Sequence, residues 1–164
     1  MSLVSGSMNA QVNITDNQTI QIASRDIGPN LDLAFTIASG TGAGQANLAW
    51  GETRTLSGSS EDLDLSALAN YATTNLNFAS LIGVLIVNNA TDAELTLKTN
   101  VTNGCTSFLD GELKLRRKSS SAPSYALIAL GDSTGAAVGG STKILRVAGT
   151  TGKSYSLILI GRSA

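Results

Sequence analysis

The stretch KILRVAGTTGKSYSLILIGRSA, residues 143–164, holds two apolar runs on either side of a Gly/Thr turn. In the second run Tyr155, Leu157 and Leu159 fall on one face of a strand and Ile158 and Ile160 on the other, so a strand here has apolar residues on both faces. Two apolar faces need two covers. We expect the opposing sheet of a sandwich to be one cover, and either a small helix or a second subunit to be the other.

A second stretch, NFASLIGVLIVNN at residues 77–89, is of the same kind. Residues 78–87 are almost continuously apolar and β-branched, which indicates a central strand covered on both faces. Elsewhere, short alternating segments are separated by Gly, Asn, Asp, Ser and Thr, a pattern typical of all-β domains. We therefore predict an all-β fold, a jelly-roll-like β-sandwich of about eight to ten short strands.

One short helix and an N-terminal arm complete the predicted organisation. The helix is predicted at DLSALANYA, residues 64–72, where Leu65 and Leu68 fall on one stripe. The polar start MSLVSGSMNA lacks the basic region and the apolar stretch of a secretory signal. We predict an arm over residues 1–12 that reaches a neighbouring subunit, and a single β-sandwich domain over residues 13–164.

Composition excludes several classes of partner. A chain of 164 residues suits one domain, and its net charge of −1 argues against binding to nucleic acid, which needs a basic excess. No run approaches the 18 or so consecutive apolar residues of a membrane span, so no membrane partner is expected. Charged residues make up only 14% of the chain, which suits a β-rich protein that contacts neighbours through neutral polar surfaces and suits a secreted protein equally.

The chemistry-bearing residue types are scarce. Histidine is absent, which removes the commonest general base and the commonest transition-metal ligand. The single cysteine, Cys105, cannot form an intrachain disulfide, and a zinc site would need several Cys or His ligands. GTGAGQ, residues 40–45, is followed by a strand pattern rather than a helix and is therefore predicted to be a loop, not a phosphate cradle. We expect no enzyme, no cofactor and no metal.

An acidic cluster leaves one alternative open. Glu61, Asp62 and Asp64 in SSEDLDL are expected to cap local structure at a solvated turn. Their spacing lacks the regular oxygen ligands and the glycine of a calcium loop. A bound cation remains the alternative.

The candidate contact residues lie in three places. RRKSSS, which begins at residue 116, is the only basic run, and we expect it to be a solvated loop or a contact with an acidic patch on a neighbour. Trp50 is the single tryptophan and is expected in the core or at an interface. With two residues of the arm, the candidate interface residues are Asn9, Gln11, Trp50, Arg116, Arg117 and Lys118.

Three stretches together resemble a family. They are TLSGSSEDLDLSALANYATTNLNFASLIGVLIVNNATDAELTL, GELKLRRKSSSAPSYALIAL and STKILRVAGTTGKSYSLILIGRSA. Their order and character resemble small virion structural proteins of tailed bacteriophages, including capsid decoration (cement) proteins, over residues 46–164. The resemblance implies a homo-oligomer, often a trimer, that binds the major capsid protein on the capsid exterior and stiffens the shell.

The functional expectation is therefore a non-enzymatic phage decoration protein. A tail, baseplate or fibre-base component is an alternative, because the same pattern does not separate these locations. A carbohydrate-binding or adhesin module is the alternative from another class, and it would depend on Trp50 as a stacking platform.

Overall fold

A computed structural model describes residues 5–13, 16–20, 23–27, 30–69, 75–100, 102–120, 122–130 and 134–163, with side chains from Ile37 onward. These residues form strands and loops, and no helix occurs among them. In chain order the strands are β1 (Ser5–Asn13), β2 (Asp16–Ile20), β3 (Ala23–Ile27), β4 (Asn30–Ser39), β5 (Gln45–Ala46), β6 (Leu48–Thr55), β7 (Ser60–Asp64), β8 (Ser80–Asn88), β9 (Leu95–Thr99), β10 (Glu112–Leu115), β11 (Ser124–Ala129), β12 (Ala136–Ala137), β13 (Ile144–Gly149) and β14 (Ser154–Arg162).

Eight of these strands form the two sheets of a β-sandwich. Sheet I has the order β6-β14-β8-β11, with the short β12 paired to β8, and sheet II has the order β7-β13-β9-β10. Every pair within the two sheets is antiparallel. Val84 and Ile86 of sheet I share one core with Leu145 and Val147 of sheet II, because alternate residues of each strand face the other sheet. The predicted all-β sandwich is confirmed.

The chain winds between the two sheets. Apart from the β9–β10 pair and the short β12, each strand from β6 to β14 lies in the sheet opposite to the one before it. The pairs β6/β7, β14/β13, β8/β9 and β11/β10 therefore occupy corresponding positions in the two sheet orders. As a result, strands far apart in sequence become neighbours.

The closing strand β14 lies inside sheet I, between β6 and β8. Tyr155, Leu157 and Leu159 are fully buried in the core, whereas Ile158 between them is 43% exposed. The predicted division of this strand into two faces is confirmed. Sheet II covers the inner face.

The predicted helix over residues 64–72 is wrong over the part that the structure describes. β7 runs into this segment, and the Leu65 N–H donates to the carbonyl of Lys143 at 2.9 Å. Leu68 and Leu76 exchange backbone hydrogen bonds in an isolated antiparallel bridge. Leu65 and Leu68 are therefore bonded to other segments rather than to residues four positions away, and the Ala67 N–H forms a single turn with the Asp64 carbonyl. Tertiary pairing outweighs a short helical stripe. The last three residues of the predicted helix lie outside the described residues.

The N-terminal strands form a ribbon beside the sandwich. β1 pairs with β4 in antiparallel register, and β2 pairs with β3 at the far end. β4 then pairs in parallel with β5, which leads directly into β6. The predicted boundary between arm and sandwich, after residue 12, thus falls inside this ribbon.

Candidate interaction surface

The outer face of sheet I, which we call the uncharged face, carries no charged residue in its three central rungs. Pairing registers place twelve residues there, because alternate residues of paired strands share a face. The rungs are Thr53, Ser156, Val87 and Tyr125; Gly51, Ile158, Leu85 and Leu127; and Ala49, Ile160, Gly83 and Ala129. Most of the larger side chains among them are aliphatic.

The two large apolar side chains that are exposed among the described residues both lie on this face. Tyr125 is 61% exposed and Ile158 is 43% exposed, and they occupy adjacent rungs. Beside Ile158 a shallow depression of about 500 Å³ opens over Gly51 and Thr53. A Cβ at Gly51 would contact the Ile158 side chain at 3.4 Å, so a larger residue at Gly51 would fill part of the depression. Clustered exposure of this kind marks a protein-binding surface more often than scattered apolar residues do.

The outer face of sheet II is different in kind. One of its rungs reads Asp62, Arg146, Lys98 and Glu112 across the four strands. Arg146 binds the Asp62 carboxylate with two hydrogen bonds of 2.6 and 2.7 Å. The sandwich therefore has one charged face suited to water and one uncharged face suited to a protein partner.

One end of the uncharged face is already covered. Ile37 at the end of β4 and Ala46 of β5 are fully buried against Ile82 and Ile160 of sheet I. The Arg162 guanidinium holds this corner, because it donates to the carbonyls of residues 41 and 42 at 3.2 and 3.1 Å. The root of the ribbon is thus fixed on sheet I, while the face around Ile158 stays open.

The acidic cluster lies on β7 rather than in a turn, and each carboxylate has a cationic partner. Glu61 accepts hydrogen bonds from Arg54 and from the Tyr155 hydroxyl, the latter at 2.7 Å. Asp62 binds Arg146, and Asp64 accepts from Lys143 Nζ at 2.7 Å and from the Ser66 backbone N–H at 2.9 Å. These carboxylates are engaged within the chain, which leaves them poorly placed to hold a cation.

The ionisation of this cluster follows from its partners. Burial raises the pKa of Glu61, but hydrogen bonds from Arg54 and Tyr155 outweigh burial and bring this pKa below its usual value. The pKa of Asp62 is lowered by its hydrogen bond from Arg146. Burial and then the Glu61 hydrogen bond raise the pKa of Tyr155. The cluster is a set of structural ion pairs, and the described residues contain no group of three or more potential metal ligands.

The basic run flanks a groove at one edge of the sandwich. Arg116 and Arg117 follow β10, and with Tyr125 and Pro123 they line a groove of about 430 Å³ between the edge strands β10 and β11. No carboxylate in the described part of the chain forms an ion pair with Arg116, Arg117 or Lys118. All three are exposed, so their charges are available to a partner.

The other candidate contact residues lie apart from this groove. Trp50 is 6% exposed, belongs to the core, and donates its indole N–H to the Ala69 carbonyl at 2.9 Å. It presents no stacking platform for a sugar. Asn9 and Gln11 lie on β1 in the ribbon, and their side chains are outside the described ones. Cys105 is fully buried, and burial raises the pKa of its thiol.

Sequence reasoning found the ambiguity of the closing strand but missed the surface that it belongs to. Leu85 was predicted in a strand covered on both faces, yet pairing brings it beside Ile158 on the outer face, with Tyr125 on the same face one strand further along. The available signal was the apolar character of both faces in β8 and β14.

Comparison with protein-family models, with curated proteins and with solved structures finds no match to this chain. The resemblance to phage decoration proteins therefore stays a prediction. Among the described residues there is no helix of the length and apolarity that crossing a membrane requires.

Proposed function

We propose that this protein is a non-enzymatic structural component of a phage virion, a capsid decoration protein that binds itself and the major capsid protein. One observation carries the proposal: the uncharged face exposes both Tyr125 and Ile158, on adjacent rungs of the two strands that flank β8, on the side opposite a charged face. A sheet with one apolar face to water is a liability unless a partner covers it. Its occupant is protein, because an interface core is depleted of charge in this way.

The proposal includes a jelly-roll classification. The orders β6-β14-β8-β11 and β7-β13-β9-β10 support it, because eight strands that wind between two sheets in this way form two Greek keys. This architecture recurs in shell-forming viral proteins, but fold alone does not give function. It supports the proposal only together with the uncharged face.

In this proposal, one surface serves self-association and another serves binding to the major capsid protein. The uncharged face serves self-association, with a homotrimer as the expected assembly. The basic edge at Arg116, Arg117 and Lys118 serves the contact with an acidic patch of the major capsid protein on the capsid exterior. Many copies on a symmetric lattice make a modest affinity per site sufficient.

The test is occupancy and stability of particles. We expect Ile158→Asp to abolish self-association and to lower the copy number on purified particles, because a carboxylate cannot be buried unpaired in an apolar interface. Thr96→Asp, at an outward position on sheet II, is the control and keeps normal occupancy. Particles that carry Ile158→Asp at full occupancy and release their genome at the normal temperature would refute the proposal.

The arm is tested in the same assay. Removal of residues 1–10 is expected to lower occupancy and the temperature of genome release, because this deletion removes most of β1. Unchanged values would show that the arm has no role in attachment.

Stoichiometry separates the nearest alternative. A decoration protein is present in hundreds of copies per particle, whereas a tail or baseplate component is present in a small multiple of six. Densitometry of purified virions distinguishes the two. A low copy number would mean that the protein is a tail or baseplate component rather than a decoration protein. The proposal that the uncharged face serves self-association would still hold.

A further inference from the structure

The ribbon has one apolar face and one polar face. The register of β1 with β4 pairs Gly6 with Ile37, Met8 with Phe35, Ala10 with Leu33 and Val12 with Leu31, and these eight residues share a face. The opposite face holds Ser7 with Thr36, Asn9 with Ala34, and Gln11 with Asp32. The single acidic residue of these two strands, Asp32, is thus on the polar face.

A ribbon of two strands needs a cover. β1 pairs with β4 alone, and β4 pairs beyond it only with the two residues of β5 among the described strands. An isolated two-stranded ribbon is marginal in water, because it lacks a second layer for its apolar side. Among the described strands, the ribbon therefore has no third strand along most of its length, and the uncharged face is open at Tyr125 and Ile158.

These two surfaces already meet at one point. Ile37 lies on the apolar side of the ribbon by register, and it is fully buried against Ile82 and Ile160 of sheet I. At Ile37, the ribbon thus packs on the outside of this sheet.

The chain's own ribbon leaves the rest of the uncharged face open, since Tyr125 and Ile158 remain exposed with the ribbon present. The ribbon root is held by the Gly40 N–H bonded to the Ala46 carbonyl at 3.1 Å and by Arg162. An occupant from another copy thus has access to this face.

We propose that the apolar side of the ribbon, residues 6–12 and 31–37, packs on the uncharged face of a second copy of this chain. The inference rests on the proposed self-association and names the segment that carries it. The facing surfaces match, because neither has a charged residue and both are predominantly apolar.

Dimensions are consistent with this fit. Seven ribbon residues span about 23 Å and two strands about 10 Å, so one ribbon covers about half of the width of four strands, which is about 19 Å at a spacing of about 4.8 Å. Each contact joins two different surfaces, so it is heterologous and closes into a ring when every copy gives one ribbon and receives one. A closed trimer satisfies this condition.

Complementing variants test the inference in the full-length chain. Phe35→Asp places a charge on the apolar side of the ribbon and leaves the uncharged face intact. Ile158→Asp places a charge on the uncharged face and leaves the ribbon intact. Each alone is expected to raise the concentration needed for assembly by at least about tenfold. Mixed in equal amounts, they are expected to form a one-to-one pair, because one intact ribbon then meets one intact face. Mass measurement in solution reads the result.

Matched controls keep folding separate from assembly. Thr36→Asp lies next to Phe35 on the polar side of the ribbon, and Thr96→Asp lies on sheet II; both are expected to assemble like the unchanged chain. Fluorescence of the buried Trp50 reports whether the sandwich is folded. If Phe35→Asp fails this check, Met8→Asp, at the paired position, replaces it.

Three results would overturn the inference. If folded Phe35→Asp assembles normally, the ribbon is not in the interface. If Ile158→Asp nevertheless fails to assemble, the proposed self-association through the uncharged face stands. A mixture that stays monomeric would exclude the ribbon-to-face contact. An unchanged chain that is monomeric at high concentration would exclude the contact in solution, while the occupancy assay tests the proposed function separately.

Discussion

At the scale of one residue, the buried Asn88 amide connects separate segments of the sandwich by hydrogen bonds. Its side chain is buried at the end of β8, with 1% exposed. The amide nitrogen donates to the carbonyls of Ala93 and Arg116 at 2.9 Å each, and the amide oxygen accepts from the Ala90 N–H at 3.0 Å. One amide thus ties the turn after β8 to the segment that carries the basic run.

Asn88→Asp is expected to lower the free energy of unfolding by about 3 kcal/mol, because a buried carboxylate would face two carbonyl oxygens and lose both donated hydrogen bonds. The measurement is denaturant unfolding followed by Trp50 fluorescence. Asn77→Asp, at an exposed position, is the control and is expected to change stability by less than about 0.5 kcal/mol. Equal effects of the two substitutions would contradict the assigned role of Asn88.

At the scale of an element, β7 joins the two sheets along one edge of the sandwich. Glu61 on β7 of sheet II bonds Arg54 on β6 and Tyr155 on β14, both in sheet I. Asp62 and Arg146 bridge neighbouring strands of sheet II. The acidic cluster, predicted from the sequence to lie at a solvated turn, is therefore a strand whose carboxylates are all ion-paired.

Stability is expected to fall in acid because of these pairs. The pKa values of Glu61, Asp62 and Asp64 lie below their ordinary values of 4.5 and 3.8 in the folded chain. Between the folded and ordinary pKa values the unfolded chain binds more protons, so the free energy of unfolding decreases as pH falls below about 4.5.

Denaturant midpoints measured from pH 6 to pH 3 check this dependence. Glu61→Gln is expected to flatten part of the slope, since it removes one of the titrating groups. Glu94→Gln, at an exposed position, is the control. A slope that Glu61→Gln leaves unchanged would show that this ion pair does not govern the acid response.

At the scale of the whole molecule, the sandwich presents three different surfaces. Sheet II offers charge to water, sheet I offers an uncharged face, and the β10–β11 edge offers Arg116, Arg117 and Lys118, none of which forms an ion pair with a carboxylate in the described part of the chain. These three surfaces are the basis of the proposed function, in which the chain lies between an assembly and solvent.

Arg116→Ser with Arg117→Ser is expected to weaken binding to purified shells roughly tenfold, since two exposed charge pairs contribute about 1–2 kcal/mol together. The weakening is expected to shrink at high salt, because salt screens exposed charges. Lys98→Ser with Lys153→Ser removes the same charge elsewhere and serves as the control. If both double variants bind the shells equally well, the basic edge does not take part in the contact with the shell.

The sequence alone determined that the chain is all-β and which residues alternate. Tyr155, Leu157 and Leu159 were placed on one face from their spacing, because strand residues alternate with a period of two regardless of their neighbours. The residues of the basic run were identified in the same way, from local character. Residues 64–69 were misjudged, because the hydrogen bonds that shape them come from partners as distant as Lys143.

Only the tertiary structure decided which apolar face is covered and which is open. Tyr125, Leu85 and Ile158 come from three separate strands, and nothing local joins them. Both faces of β8 and β14 are apolar in sequence, so periodicity cannot tell the side that meets sheet II from the side left for a partner. That choice depends on long-range pairing, which sets the order of strands in the sheet and therefore which residues lie together on its outer face.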